Sequence, residues 1–336
     1  MKALLNKLLK GEDLTLEEAK RGAELLLSGQ ATDAQIAAFL IALRMKGETV
    51  DEIVGLTSVL SDKAVHIHPQ NQEYVDIVGT GGDGTNTFNI STTSAFVIAG
   101  AGLAVAKHGN RAISSKSGAG DVLEALGVNI VAEPAQVEKA IDEIGIGFMF
   151  AQTFNPAMRF VGKVRTEMGV RTVFNILGPM ANPSGAKFQM IGVYDPELTE
   201  KIAEVMLKLG VVKQGMVFSD ARGMDELSTV ADTKISEIRD GKVTTYTITP
   251  EQFGLKRAQP EDILGGTCEE NAVYTKAVLS GEKGPKRDIV LLNAGMSLYA
   301  GGLAETPEAG IALAAETIDS GKALAKLEAL VAFTQK

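Results

Sequence analysis

One glycine-rich segment restricts the fold of this chain more than any other feature. It covers residues 79–92 and reads GTGGDGTNTFNIST. An apolar run interrupted by Asp76 precedes it, and the small apolar residues 94–102 follow it, so the order predicts a strand, a glycine loop and a helix start. Glycines let a backbone turn closely around an anion, and the first NH groups of a helix attract negative charge. The segment therefore predicts a phosphate-binding loop, although a glycine-rich turn without a ligand fits the same residues.

The loop differs from the common nucleotide-binding motifs. A Walker loop requires Lys followed by Ser or Thr, and the dinucleotide fingerprint requires a third glycine at the helix start and an acidic residue about twenty positions later. No Lys or Arg occurs from residue 64 to residue 106. An anion bound here would therefore contact backbone NH groups, the hydroxyl groups of Thr87, Ser91 and Thr92, and a metal ion if one is present.

From residue 74 onward, strand patterns alternate with helix patterns, which predicts an α/β fold with a mostly parallel sheet and helices on its faces. We expect strands at 75–78, 103–106, 128–131, 147–150, 188–194 and 215–218. Residues 228–249 alternate apolar and polar side chains around Asp240 and Gly241, which predicts a hairpin with a two-residue turn. Ligands of such sheets bind at the carboxyl ends of the strands.

Residues 1–63 are predicted to be helical throughout. Thr15, Thr32 and Thr49 each precede a Glu or Gln by three positions, which is the capping box of a helix start. The helix at 33–46 is apolar on more than one face, so we expect it to pack on two partners, either within its own domain or with one of them in another subunit. The expected domains are a helical domain at 1–70, a crossing segment at about 166–186, and an α/β domain formed by 73–165 and 187–336.

Charge and cysteine content exclude several classes of protein. The formal net charge is -9 at pH 7, whereas general nucleic-acid binding and anionic-membrane binding require a basic face. Cys268 is the only cysteine, which excludes a disulfide framework and a thiolate metal site. We interpret His66 and His68 as linker residues and not as metal ligands. No apolar run reaches the length of a membrane span and no signal-peptide pattern occurs at residues 1–7, so we expect a cytoplasmic protein.

Two further groups of residues are candidates for chemistry. Residues 107–120 combine cations, an amide and several hydroxyl groups with glycine turns, a set that suits a multiply charged phosphate. Asp225 and Glu226 follow the predicted strand at 215–218, and Mg²⁺ prefers one or two carboxylates together with phosphate oxygens. Taken alone, this pair also fits a solvated acidic pair on the surface. Because both loops and the pair follow predicted strands of one sheet, we favour a shared phosphate and magnesium site.

Four motifs in this order resemble those of the anthranilate phosphoribosyltransferase family. They are GTGGDGTNTFNIST at 79–92, KHGNRAISSKSGAGD at 107–121, the Arg165 helix with NILGPMANP at 175–183, and GMDE at 223–226. The resemblance covers nearly the whole chain. It implies a nucleoside phosphorylase/phosphoribosyltransferase-like fold with a small all-helical N-terminal domain. It also implies transfer of the phosphoribosyl group of 5-phosphoribosyl 1-pyrophosphate (PRPP) to the amine of anthranilate, a step of tryptophan biosynthesis.

The resemblance implies the residues of each site as well. The PRPP site would comprise Gly79, Gly82, Asp83, Thr87, Asn89, Ile90, Ser91, Thr92, Lys107, His108, Gly109, Asn110, Arg111, Ala112, Ile113, Ser114, Ser115 and Ala119. The anthranilate site would comprise Gly79, Asn110 and Arg165, with Arg165 on the carboxylate and with His108 and Pro179 lining the pocket. Ser91, Asp225 and Glu226 would bind two magnesium ions. The helical domain would form a homodimer.

Such a transfer requires no covalent nucleophile, and the sequence offers no evident one. Loss of pyrophosphate places positive charge on the ribose and negative charge on the leaving group, which NH donors and magnesium stabilise. The amine of anthranilate is neutral near pH 7 and attacks once it is oriented. His108 is the candidate proton acceptor, and the alternative is that its ring only lines the pocket.

The chain departs from the family pattern at two points. Ala119 stands where many members have serine, which removes one hydroxyl contact to phosphate, and residues 218–222 lack the histidine that many members carry before GMDE. Three alternatives stay open. They are a pyrimidine nucleoside phosphorylase of similar fold, a family member that binds phosphoribosyl ligands without using anthranilate, and a non-catalytic module that binds nucleotides or nucleic acid.

Overall fold

A computed structural model describes residues 1–70, 73–112 and 116–335. The chain begins with the helices α1 (Lys2–Leu8), α2 (Leu16–Leu27), α3 (Asp33–Lys46) and α4 (Val50–Asp62). The three predicted capping boxes are confirmed at α2, α3 and α4: each Thr hydroxyl accepts the NH three residues later, and the Glu or Gln side chain accepts the NH of the Thr. Helix starts are therefore set locally in this part of the chain.

In the described part of the chain, seven strands form one sheet. They are β1 (Tyr74–Gly79), β2 (Ala104–Gly109), β3 (Ile146–Phe150), β4 (Phe188–Gly192), β5 (Gln214–Asp220), β6 (Thr233–Arg239) and β7 (Lys242–Ile248). Their order across the sheet is β3-β2-β1-β4-β5-β6-β7. The strands from β3 to β5 in this order are parallel, whereas β6 and β7 pair antiparallel. The prediction of a mostly parallel sheet is confirmed.

Helices cover both faces of this sheet. The remaining ones are α5 (Ile90–Ala101), α6 (Ala119–Ala125), α7 (Pro134–Ile144), α8 (Ala151–Phe154), α9 (Arg159–Met168), α10 (Phe174–Met180), α11 (Leu198–Leu209), α12 (Cys268–Leu279), α13 (Pro285–Ala300), α14 (Pro307–Asp319) and α15 (Lys322–Thr334). Short 3₁₀ helices occur at Pro156–Met158, Pro250–Phe253 and Pro260–Ile263.

Two large apolar cores lie on the two faces of the sheet, and a smaller apolar cluster contains residues of β1, β2 and β3 such as Tyr74, Ala106 and Met149. The larger core contains α5, α6 and α12–α15, together with strand residues such as Met190 and Phe218. The second contains α1–α4, α9–α11 and the strand residues Ile191 and Val217, which are neighbours in sequence of those in the first core. This alternation follows from the two-residue period of a strand. The N-terminal helices therefore share one continuous core with α9–α11 and with one face of the sheet.

The predicted strand at 128–131 is wrong. These residues connect α6 to α7 without pairing to any strand that the structure describes, although Val128 and Ile130 are buried. Their backbone groups bond elsewhere: the NH of Val128 donates to the carbonyl of Leu123 at the end of α6, and the NH of Asn129 donates to the hydroxyl of Thr334 in α15. A short apolar run can thus enter a core with its NH groups bonded outside a sheet.

The predicted crossing segment at about 166–186 includes the short helix α10. Pro179 lies inside the last turn of α10, and the helix ends at Met180. Asp240 and Gly241 form the predicted two-residue turn, with φ of 51° and 71°. Both values are positive, as a twisted hairpin requires.

No helix in the described ranges is long and apolar enough to cross a membrane.

Candidate active site

The order of the strands creates a crevice at the carboxyl ends of β1 and β4. The chain leaves β1 toward β2 on one side, and β4 lies on the other side, so the connections diverge at this point. Gly79 and Gly192, the last residues of β1 and β4, are partners in the strand register. Open α/β sheets bind ligands where the strand order reverses in this way.

Asp225 lies directly against these two strand ends. A Cβ atom added to Gly79 would lie 2.3 Å from Asp225 Oδ2, and one added to Gly192 would lie 1.7 Å from the carbonyl oxygen of Asp225. The NH of Gly81 donates to Asp225 Oδ2 at 2.6 Å. Glycine is thus required at both strand ends because the loop between β5 and β6 packs on their backbone.

Glu226 joins the same loop to the start of α5. Its Oε1 accepts the hydroxyl of Ser91 at 2.7 Å and the NH of Ser91 at 3.1 Å. Ser91 is the second residue of α5, so the carboxylate lies at the positive end of the helix dipole. Both acidic residues are buried, with Asp225 9% and Glu226 8% exposed, so they do not form a solvated surface pair.

The environment of the acidic pair suits a divalent cation. Burial raises the pKa of Asp225 well above its usual range, and the charges of Asp83 and Glu226 raise it further. Burial also raises the pKa of Glu226, to about 7. Glu226 Oε2 is buried and has no hydrogen-bond partner in the part of the chain that the structure describes. A bound cation would keep both groups ionised and would occupy this oxygen.

The donor set matches magnesium better than a metal held by protein alone. Within the described ranges, no group of three or more His, Cys, Asp or Glu side chains is arranged to hold a metal ion. Mg²⁺ commonly binds one or two carboxylates and completes its coordination with phosphate oxygens and water. Asp225, Glu226 and the hydroxyl of Ser91 therefore fit magnesium that arrives with a phosphate ligand.

The glycine loop has the backbone form expected of an anion-binding turn. Gly81, Gly82 and Gly84 have φ of 70°, 72° and 77°, values that L side chains rarely adopt. Asp83 closes the tip of the loop, because its carboxylate accepts the NH of Thr85 at 3.1 Å and the hydroxyl of Thr85 at 2.5 Å. Successive NH groups in such a turn make a concave anion site.

The loop after β2 is fixed by two acidic residues. Asp121 Oδ2 accepts the NH groups of Ala112 and Gly118, at 2.8 and 2.9 Å, and so pins the loop to the start of α6. Glu124 bonds both terminal nitrogens of the Arg111 guanidinium. Arg111 is therefore engaged in an ion pair within its own loop. The predicted donor-site residues Ile113, Ser114 and Ser115 lie outside the described residues.

Asn89 brings the two predicted phosphate loops together. Its side chain bonds Ser117 of the second loop, at 3.2 Å to the hydroxyl and 3.4 Å to the carbonyl oxygen. Asn271 of α12 donates to Asn89 Oδ1 at 3.0 Å. The loops after β1 and β2 thus meet at the start of α5, as two strand-end loops of one sheet should.

Lys107 and Asp76 are both buried beneath the loops, and each affects the pKa of the other. The Lys107 ammonium donates to the carbonyl oxygen of Ile77 at 2.6 Å, and burial lowers its pKa. Burial raises the pKa of Asp76 to about 6, although Lys107 and a bond from Asn182 Nδ2 at 2.6 Å oppose this. Asn182 also donates to the carbonyl oxygen of Ala106. The segment after α10 is therefore bonded to β1 and β2 directly below the site.

His108 is buried, with 4% of its surface exposed. Burial lowers its pKa to about 4, and the charge of Lys107 lowers it further, while the backbone of Gly178 acts in the opposite direction. Its Nε2 lies 3.0 Å from Asn155 Nδ2, so this ring nitrogen is engaged by a protein group.

Two arginines lie near the crossing segment with different partners. The Arg165 guanidinium lies over the Phe174 ring, 5.6 Å from its centre, and burial lowers its pKa. No ion pair of Arg165 occurs among the described residues. Arg171 instead donates to the carbonyl of Gly82 and lies 4.2 Å from the centre of the Tyr194 ring. Arg44 of α3 donates to the carbonyl of Arg171, which links the helical bundle to the glycine loop.

Sequence reasoning missed the residues that hold this site together. Asp121 had a local signal, because it stands three positions after the helix-capping Gly118. Asn155, Arg171 and Asn271 had none, since their partners are 47, 89 and 182 positions away. The predicted residues Gly79, Ser91, Asp225 and Glu226 are brought together as expected.

Comparison with known proteins identifies the same two regions. The model of the glycosyl transferase family, a/b domain, matches residues 71–324, and that of the glycosyl transferase family, helical bundle domain, matches residues 2–64. The anthranilate phosphoribosyltransferase of Acetivibrio thermocellus is 51% identical over 334 residues, 99% of this chain and 96% of its own length. That of Symbiobacterium thermophilum is 52% identical over 336 residues, 100% of this chain and 98% of its own length.

Solved structures agree with the sequence relatives. The crystal structure of anthranilate phosphoribosyltransferase from Thermus thermophilus is similar with a TM-score of 0.94, at 44% identity and with 99% of each chain covered. The Saccharomyces cerevisiae enzyme in complex with PRPP and Mg has a TM-score of 0.92, at 29% identity, and covers 99% of this chain and 97% of its own. Since relatives of about half-identical sequence cover the full length and both family models match this chain, it belongs to the anthranilate phosphoribosyltransferase family.

Proposed function

We propose that this protein transfers the phosphoribosyl group of PRPP to the amine of anthranilate and releases pyrophosphate. The observation that carries the proposal is the position of Asp225 and Glu226. They join the ends of β1 and β4 to the start of α5, next to a loop of NH donors. This arrangement is suited to an anion accompanied by a divalent cation, and the transfer needs no covalent nucleophile.

The donor would bind across the glycine loop and the start of α5. Gly79, Gly82 and Asp83, with NH groups of the loop, face the pyrophosphate in this proposal, and residues 87–92 hold the ribose and pyrophosphate through hydroxyl and NH groups. Lys107 near the end of β2, Asn110 in the loop after it and Ala119 at the start of α6 would contact the remaining phosphate. Fixed donors of this kind stabilise charge that develops on the leaving group.

Magnesium bound by Ser91, Asp225 and Glu226 would supply positive charge to the departing pyrophosphate. We propose two ions, as the family resemblance implies. The chain's own contribution is to keep both carboxylates buried beside the loop, where burial raises their pKa and a bound cation would favour their ionised forms.

Arg165 would bind the carboxylate of anthranilate, with Gly79, Asn110 and Pro179 completing the pocket. A half-buried guanidinium without an ion-pair partner among the described residues is a strong carboxylate receptor, because its fork geometry matches the two oxygens. The bond that breaks joins the anomeric carbon to the pyrophosphate oxygen, and the bond that forms joins that carbon to the amine nitrogen. The amine then loses a proton to the departing pyrophosphate or to water, and His108, which already contacts Asn155, would line the pocket.

Replacing Arg165 with Ala is expected to raise the KM for anthranilate about 10- to 100-fold, the range of a lost charge-assisted hydrogen bond. The KM for PRPP should change less than about twofold, because Arg165 does not contact the donor in this proposal. The loss of anthranilate fluorescence on mixing with PRPP and magnesium measures both constants.

Arg159→Ala is the matched control, since Arg159 lies on the same helix and stacks on Phe160 at the surface. Equal KM values for anthranilate in the two variants would contradict the role of Arg165. A wild-type protein without turnover at any magnesium concentration would contradict the function itself, and nucleoside phosphorolysis would be assayed next.

We also propose a homodimer through the helical bundle. Ala38, Ile41 and Met45 follow each other at spacings of three and four on α3, and Met45 is 84% exposed. An exposed apolar stripe beside the buried face of the same helix fits a subunit interface.

Met45→Glu is expected to convert the dimer to a monomer of 35.4 kDa in sedimentation equilibrium, because it places a charge in the apolar contact. Val273→Glu is the control, since Val273 is 64% exposed on α12 and lies outside the bundle. A monomeric wild type at tens of micromolar would rule the dimer out.

A further inference from the structure

A buried pair of side chains, Asn155 and His108, lies at the carboxyl ends of β2 and β3. His108 is in β2, and Asn155 follows the single turn of α8 that begins where β3 ends. The two are 5% and 4% exposed, and Asn155 Nδ2 lies 3.0 Å from His108 Nε2. The backbone of Asn155 is fixed as well, because its NH donates to Ala151 and its carbonyl accepts the NH of Met158.

The partners of the ring determine which nitrogen carries the proton. The amide nitrogen of Asn155 can only donate, so the 3.0 Å contact requires His108 Nε2 to accept. A neutral imidazole has one N–H, so a ring whose Nε2 accepts carries its hydrogen on Nδ1. The Nδ1–H tautomer therefore fits this contact.

The opposite orientation of the amide would place Asn155 Oδ1 against Nε2 and would require a hydrogen on that nitrogen. A doubly protonated ring would be buried beside Lys107, whose charge disfavours it, while Asp76 accepts the backbone NH of His108 at 3.2 Å. In the neutral arrangement Asn155 Oδ1 is buried without a partner among the described residues, so within them only His108 selects how the amide is turned.

We propose that Asn155 is a positioning residue that holds His108 in one neutral tautomer, so that the acceptor pocket offers the substrate carboxylate Arg165 without a competing cation. The tautomer stands on the geometry alone, whereas its consequence for the substrate rests on the proposed function. An imidazolium in the pocket would attract the carboxylate of anthranilate toward His108 and away from Arg165. A neutral ring packs against the substrate and leaves its orientation to Arg165.

The tautomer is tested by ¹⁵N NMR of the histidine ring. The chain contains three histidines, so the double variant His66→Gln, His68→Gln leaves His108 as the only one. We expect a protonated Nδ1 and a bare Nε2 whose signals stay constant from about pH 5.5 to about pH 8.5. A protonated Nε2, or a ring that gains a proton within this interval, would overturn the proposal.

Asn155→Asp in the same background replaces the amide donor with a carboxylate, which must accept from Nε2. The negative charge should raise the pKa of His108 from about 4 to above ~6, so that the ring titrates within the interval. Gln152→Glu is the matched control, because it makes the same chemical change at an exposed position of α8. It should leave the His108 signals unchanged, and a shift equal to that of Asn155→Asp would refute a specific contact.

Steady-state kinetics test the consequence for the substrate. Asn155→Asp should raise the KM for anthranilate at least about fivefold, and more as pH increases, because the deprotonated pair carries a negative charge next to the substrate carboxylate. The KM for PRPP should stay within about twofold of the wild type. An unchanged and pH-independent anthranilate KM would overturn the proposal even if the tautomer is as expected. A wild type without transferase activity would instead contradict the proposed function, and the NMR result would remain interpretable.

Discussion

Asp225→Asn is expected to lower kcat/KM about 100- to 1000-fold, the scale on which the loss of one preorganised electrostatic group reduces turnover. The substitution removes a charged ligand from the proposed magnesium site and leaves its shape unchanged. Asn can still accept the NH of Gly81 through its side-chain oxygen, so the loop keeps its bond. Initial rates over a series of magnesium concentrations should show a raised magnesium requirement as well as a lower maximum.

The same variant should be more stable than the wild type when metal is absent. Burial raises the folded pKa of Asp225 above 3.8 and that of Glu226 from 4.5 to about 7. Between the unfolded and folded pKa values the folded state holds more protons, so the free energy of unfolding falls as pH rises from about 4 to about 7. The introduced amide has no proton to lose, and in chelator we expect a Tm about 2 to 5 °C above the wild type near pH 7.5, with a smaller difference near pH 5.

Opposite effects on activity and stability separate a metal-binding role from misfolding. Added magnesium and pyrophosphate should raise the Tm of the wild type more than that of the variant. Asp232→Asn is the control, because Asp232 lies in the same connection between β5 and β6 but forms an exposed ion pair with Arg257. A variant that loses both activity and stability, with no change in magnesium requirement, would show that Asp225 is structural.

Gly192→Ala is expected to lower the free energy of unfolding by roughly 3 kcal/mol, the upper part of the range for overpacking. The added Cβ would lie 1.7 Å from the carbonyl oxygen of Asp225 and 3.0 Å from its Cα, so backbone must move. Movement at this point displaces Asp225 from the strand ends. We therefore expect a Tm roughly 5 to 10 °C lower and a loss of magnesium-dependent activity.

Gly162→Ala provides the matched comparison, since Gly162 is inside α9 and no heavy atom of the described residues outside that helix turn lies within 4 Å of a Cβ placed there. Ala favours a helix interior over Gly by about 1 kcal/mol, so its Tm should equal or exceed that of the wild type. Similar melting temperatures for the two variants would mean that the β5–β6 loop can shift away from Gly192 without cost.

Local features of the fold were predictable from the sequence. The capping boxes at Thr15, Thr32 and Thr49 and the turn at Asp240 and Gly241 depend on residues within four positions, and all are present. The apolar run at 128–131 was assigned to a strand incorrectly, because periodicity reports burial and not the partner of each NH group. There the partners are Leu123 and Thr334, and the second is 205 positions away.

The site was predictable only in part. Glycines after β1 and the acidic pair after β5 are local motifs, and the parallel sheet brings their strand ends together. That Gly192 belongs to the site follows from its register partner Gly79, which no local pattern specifies. The engagement of the His108 ring depends on Asn155, which is on another segment. Contacts between residues far apart in the chain produce no periodic pattern in the sequence from which they could be predicted.

The core that α1–α4 share with α9–α11 determines how the molecule unfolds. Leu40 and Val161, for example, belong to one apolar cluster, although they lie on opposite sides of the family boundary near residues 64–71. Cleavage at that boundary would expose the apolar side chains of α2, α3 and α4 to water in the smaller fragment. In the larger fragment it would expose the side chains of α9, α10 and α11 that these helices bury. The helical bundle is thus a separate module in sequence comparison but a dependent part of one cooperative unit in unfolding.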